Sequence, residues 1–161
     1  MFREMRRASQ QLTQAQCEEI LRKGTNGVLA VTGDDGYPYA VPLSYVYDDG
    51  KLYFHGAKTG HKLDAIRRDS RVSFCVVEQD NVVPEEYTTY FGSVIVFGRA
   101  QEVTDHLEFD IALAALGKRY NPHGDRMQLA KVIATESVGA AVIRLDVEHM
   151  TGKRARELMK R

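Results

Sequence analysis

Only two cysteines occur in the 161 residues, Cys17 and Cys75. They lie far apart, in neither a CxxC nor a zinc-ligand spacing. That excludes a disulfide framework and predicts two reduced thiols in the core or on a helix face. An excess of charge is also missing, because 22 basic residues balance 22 acidic ones. No global field draws the chain to nucleic acid, and no basic stripe is interleaved with aromatics. The longest apolar runs are strand-sized, which argues against a membrane partner. The opening MFREMRRASQQ is polar and basic, without the apolar stretch of a signal peptide. A cytoplasmic location is the expectation. Absent too are GxSxG, HExxH, P-loop and GxGxxG patterns and any metal-ligand spacing.

What is present reads as one domain with a real core, since a chain of about 150 residues buries roughly 70% of its extended surface. Thr13 with Gln16 three residues on, and a Leu12 to Cys17 staple, predicts a helix over about residues 13–23, ended by Gly24. β-branched and aromatic runs follow at 28–32, 39–47 and 52–55, punctuated by GDDG and DDG, and predict an antiparallel meander. A short helix over 61–68 would bury Leu63 and Ile66 and leave Lys62, Arg67 and Arg68 in water. Strands are expected over 71–78 and 88–103, the second carrying Gly92 and Gly98 where a sheet could bend or bulge to curl. Asp105 with Glu108 opens a helix with Phe109, Leu113, Leu116 and Tyr120 on one face. Asn121-Pro122-His123-Gly124 breaks it before a second helix over about 125–135. A strand over 138–148 and a basic helix over 152–161 complete the chain.

The segment between Gly36 and Lys62, GYPYAVPLSYVYDDGKLYFHGAKTGHK, carries the chemistry. A strand ends in His55-Gly56-Ala57, a Thr-Gly turn follows, and His61 and Lys62 stand where a helix begins. Free backbone N–H groups and a cation at a strand end suit a phosphate. A cation at that position opposes the helix dipole unless an anion offsets it. Gly56 would let the backbone approach a flat ring.

These segments, with the following LDAIRRDSRVSFCVV and SVIVFGRAQEV, resemble the FMN-binding split-barrel family related to pyridoxamine 5'-phosphate oxidase. More narrowly, LYFHGA, GHKLD and SVIVFGRA are similar to the nitroimidazole-resistance group. The resemblance covers about residues 27–103, with a continuation to about 153. It implies a mainly β fold with flanking helices, a six-stranded antiparallel split β-barrel, in a homodimer that holds FMN at the subunit interface.

Matched residue by residue, the resemblance implies that the backbone of Val41, Pro42, Leu43 and Ser44 lines the flavin ring. Phe54, His55, Gly56 and Ala57 run beside the ring and ribityl chain. His61 and Lys62 fall where the oxidases carry an Arg-Lys pair on the phosphate, and Ser93 where they have a Gln that reaches the cofactor. His55 matches a histidine close to the flavin in the nitroimidazole-resistance group, which implies a catalytic role. Two departures count against pyridoxamine phosphate oxidation. Val41 replaces a basic residue, and the chain contains no Trp, whereas the oxidases finish with a segment containing Trp and Arg.

The expected function is therefore flavin-dependent reduction of a small organic molecule such as a nitroimidazole. The alternatives are an oxidase of the pyridoxamine phosphate type, a flavin carrier without turnover, and a haem or deazaflavin binder in which His55 or His61 serves. No acid/base constellation is needed for the redox readings, because a flavin carries the hydride and electron chemistry itself.

Overall fold

The computed structural model describes residues 2–159. Helix α1 (Gln14–Lys23) starts at Thr13 through the expected capping box: the Thr13 side chain accepts from the Gln16 backbone N–H, and the Gln16 side chain accepts from the Thr13 N–H. Two hairpins follow. β1 (Asn26–Thr32) pairs antiparallel with β2 (Pro38–Ser44), and β3 (Val46–Asp48) pairs with β4 (Lys51–Ala57) across an Asp49-Gly50 turn in which both residues have positive φ. That two-residue geometry matches the right-handed twist of the flanking strands. Helix α2 (His61–Arg68) buries Leu63, Ala65 and Ile66. It leads into β5 (Arg71–Val83) and β6 (Thr88–Glu102), then α3 (His106–Tyr120), α4 (Arg126–Glu136), β7 (Ala140–Arg154) and a one-turn α5 (Arg156–Met159).

All seven strands share one antiparallel sheet in the order β2-β1-β5-β6-β7-β4-β3. The expected six-stranded barrel and continuous meander are corrected here: the sheet is open, with seven strands, because residues 39–47 do not form one strand. The chain leaves β2 at one edge and enters β3 at the other, and Tyr45 is the break. Its side chain is fully buried. The hydroxyl donates to the Leu21 carbonyl at 2.8 Å, the ring meets Phe74 edge-on at 5.1 Å, and the backbone N–H donates to Thr25. The two edges are thus consecutive pieces of one segment, and the curled sheet wraps a core of Leu29, Phe54, Phe74, Val94, Val96 and Leu145. Burial drives the Tyr45 hydroxyl above its ordinary pKa, so it stays a neutral donor. Tyr45→Phe removes that donor and strands a buried carbonyl. The expected cost is about 1–2 kcal/mol of unfolding free energy, read as a lower urea midpoint at unchanged slope.

Two further expectations need correction. β5 does not end at Glu78 but continues to Val83 past an irregularity between Val77 and Gln79 opposite Gly92. Residues 152–154, expected to open a terminal helix, belong to β7, which also takes in 149–151. The cause is a remote partner: Leu12 N–H donates to the Gly152 carbonyl, Gln11 bridges to Lys153, and the buried Gln10 amide donates to the Arg154 carbonyl at 3.0 Å. The end of the predicted helix, residues 160–161, lies outside the described residues. Gly98 does mark a shift in register, where any Cβ would overlap the Asp146 carbonyl.

Helix α3 covers the outer side of β4 and β7. Asp105 caps it by accepting from the Glu108 N–H at 2.8 Å. Glu108 in turn holds Arg144 through both carboxylate oxygens at 2.9 Å and accepts from the Tyr53 hydroxyl at 2.9 Å. Burial, and then the Glu108 carboxylate, push the Tyr53 phenol up to about 12. Cys17 is buried and Cys75 half-buried, both free, and burial raises both thiols. Among the described residues, no helix is long and apolar enough to cross a membrane.

Candidate functional site

β4 alternates its side chains across the sheet. Leu52 and Phe54 point into the core, while His55 and Ala57 stand on the outer side, exposed. Gly56 shares the inward direction of Phe54, and what occupies its side-chain space is a cation: a Cβ there would lie 2.9 Å from Lys62 Nζ. The glycine leaves room for this close approach. Any larger residue would push the ammonium away from the strand end.

Lys62 reaches that position because α2 begins immediately after Gly60. Gly60 has φ of 130°, open space above it, and no side-chain cap for the helix. The first main-chain bond of the helix runs from the Asp64 N–H to the Gly60 carbonyl. The N–H groups of the preceding turn therefore lack a side-chain acceptor, unlike those of α1 and α3. Among the described residues no carboxylate lies within 4 Å of Lys62 Nζ. An uncapped helix start with an unpaired cation is an arrangement that can accept an anion such as a phosphate monoester.

His61 is held more tightly. Its ring packs on Tyr39 of β2 at 4.2 Å, and Nε2 is 3.6 Å from an Asp34 carboxylate oxygen. Asp34 also receives Arg68 at 2.7 Å. Tyr39 and Asp34 thus join the candidate site through His61, a placement that the sequence reading does not make. The turn preceding β2 and the start of α2 meet only in three dimensions, and no local pattern announces it.

The structure gathers part of the expected set. Gly56 and Lys62 meet, the neighbouring His61 turns to Tyr39 and Asp34, and His55 and Ala57 stand on the opposite side of the strand from Gly56. The Phe54 ring is fully buried against Phe74 at 5.0 Å, so only its backbone is open to a ligand. Val41 and Leu43 pack against the core, and Pro42 and Ser44 face outward, so this strand also offers backbone and outer side chains. Ser93 stands apart. Gly56 pairs with Ala141 and Ser93 with Lys153, at opposite ends of the 15-residue β7. Roughly 40 Å of strand separates them.

Residues 13–154 match the sequence model of the pyridoxamine 5'-phosphate oxidase family, and the chain belongs to that family. Among solved structures, a protein assigned to 5-nitroimidazole antibiotic resistance from Bacteroides thetaiotaomicron is 22% identical, with a TM-score of 0.75 over 89% of this chain and 86% of its own. A conserved protein from Mycobacterium tuberculosis is 21% identical, with a TM-score of 0.81 over 96% and 92%. These two likenesses establish a shared fold. An FAD-binding protein from Mesorhizobium loti is 28% identical, with a TM-score of 0.66 over 90% and 96%. No curated protein matches the sequence significantly.

Proposed function

We propose that the chain is an FMN-dependent oxidoreductase, active as a homodimer, that reduces a small organic acceptor such as a nitroimidazole or another nitroaromatic. The observation that carries this reading is the Lys62 ammonium over Gly56 beside the uncapped start of α2. Lys62, His61 and the first N–H groups of α2 would hold the flavin phosphate. The backbone of β2 and β4 would flank the ring, as the family resemblance implies. Bound there, the flavin supplies hydride and electron transfer, and the protein supplies position, charge and exclusion of water.

FMN is favoured over FAD by what lies beyond His61. His61 packs on Tyr39 and lies beside Asp34, which closes that side of the phosphate position and leaves no evident place for the adenylate half. The FAD-binding relative from Mesorhizobium loti favours FAD as the second reading. Titration of the flavin-free protein with both cofactors separates them: tighter FMN binding supports the proposal, and equal or tighter FAD binding overturns it.

Reduction of a nitroaromatic is supported by the nitroimidazole-resistance motifs and by the two departures from the oxidases, Val41 and the missing Trp. His55 is exposed at the strand end, on the opposite side from Lys62. His55→Ala is therefore expected to leave FMN affinity within about tenfold, that is about 1.4 kcal/mol, and to lower turnover with a nitroaromatic acceptor. Steady-state oxidation of NADH or NADPH across nitro compounds, quinones and pyridoxamine phosphate is the assay. Unchanged turnover assigns His55 a structural role, and no turnover with any acceptor makes the protein a flavin carrier.

The homodimer is supported by the placement of Ser93, which is in register with the opposite end of β7 from its own chain's Gly56, and by an apolar outer face. Val28, Val77, Ile95 and Phe97 are 40%, 61%, 38% and 36% exposed, and Val28, Cys75 and Ile95 stand side by side in register. A contiguous patch of that kind on a sheet suits a second subunit.

A further inference from the structure

A hollow of about 310 Å³ lies on the outer side of β4. Its floor is His55, Gly56 and Ala57, and its far wall is Thr135 and Glu136 from the end of α4 with Gly139 and Ala140 from the start of β7. The volume suits a single substituted aromatic ring. Four of the seven lining residues are Gly or Ala, so the floor is flat and the polar groups are confined to His55, Thr135 and Glu136.

Glu136 is the last residue of α4, and the last turn of that helix has no basic residue. A carboxylate at a helix C-terminus adds to the negative end of the dipole and is unfavourable there unless a cation offsets it. Among the described residues no Lys, Arg or His nitrogen lies within 4 Å of this carboxylate. The unbalanced negative charge borders the same hollow as His55, on the opposite side of β4 from the Lys62 cradle.

We infer that this hollow is the acceptor subsite, that it takes aromatic acceptors carrying a cationic group, and that Glu136 determines that preference. The inference rests on the flavin reading for the acceptor's chemistry, but its physical basis is the hollow itself. Three probes share the para-nitrophenyl ring and carry a cationic, a neutral or an anionic substituent: para-nitrobenzylamine, para-nitrobenzyl alcohol and para-nitrobenzoate, the first two matched in size. Their affinities are measured by calorimetry on the flavin-loaded and the flavin-free protein. His55 ring-proton resonances, assigned by their loss in His55→Gln, report where the probe sits.

The amine is expected to bind about fivefold more tightly than the alcohol, the upper scale of one exposed ion pair, and the carboxylate most weakly. Glu136→Gln should close the gap between amine and alcohol, and Glu136→Lys should reverse the order of amine and carboxylate. The amine should shift the His55 resonances. Equal binding of amine and alcohol, a gap that survives Glu136→Gln, no binding of the amine, or no shift at His55 would overturn the inference. A charge-dependent gap in a protein that binds no flavin would retain the subsite and reject the flavin reading. Tight flavin binding without the gap would do the reverse.

Discussion

Lys62→Ala is expected to weaken FMN binding by about 1.5–3 kcal/mol, one to two powers of ten in dissociation constant, because it removes a charge-assisted contact to phosphate. Riboflavin lacks the phosphate and should bind wild type and variant alike. The comparison isolates the contact: equal losses for both ligands would mean that the substitution had damaged the strand end instead. Damage is not expected, since Lys62 has no ion-pair partner among the described residues and Gly56 tolerates empty space above it. Stability gives a second readout. If FMN binds the native state as proposed, at a fixed excess of FMN well above both dissociation constants the wild type should gain more thermal stability than the variant by the same free energy.

The second large effect is complementation between chains. Lys62, on α2, stands against Gly56 near the end of β4, and Ser93 lies on β6; the two strands pair with opposite ends of β7, so in the proposed dimer a site that uses both would draw them from different subunits. Lys62→Ala and Ser93→Phe should each lower the affinity for FMN. Refolding the two variants together forms mixed dimers in which one site has both residues intact and the other has neither. The mixture should show a tight-binding fraction that neither variant shows alone. Sedimentation across a dilution series should then show FMN holding the dimer together, as mass action requires when only the assembled form binds. A monomer that retains one tightly bound FMN, or a mixture that binds no better than its parents, would refute the shared site.

Much of the fold is legible because its signals are local. Thr13 with Gln16 and Asp105 with Glu108 cap helices by contacts spanning three residues, Asp49-Gly50 turns a hairpin within two, and Leu63 and Ile66 mark the buried face of α2 by spacing alone. The break at Tyr45 is not legible. An aromatic in an alternating run looks like its neighbours, and what pulls it out of the strand is a carbonyl on α1 and a ring on β5. The C-terminal strand is hidden for the same reason. GKRAR has a helical composition, and the N-terminal residues that pair with it stand far away in sequence.

At the site, Gly56 and Lys62 are readable as a strand-end glycine and a first-turn cation. Their contact, and the convergence of Tyr39 and Asp34 on His61, exist only after the sheet has curled. The hollow beside His55 is likewise invisible in sequence, because Glu136 reads as an ordinary polar residue at the end of a helix.

The most direct test of the central claim, a flavin held by its phosphate at Lys62, is the visible absorption spectrum of the purified protein after incubation with FMN and removal of free ligand, recorded beside Lys62→Ala treated in the same way. The account predicts the two flavin bands at one FMN per chain in the wild type and their loss or marked reduction in the variant. A wild type without flavin bands, a Soret band in their place, or equal flavin retention by the two proteins would contradict it.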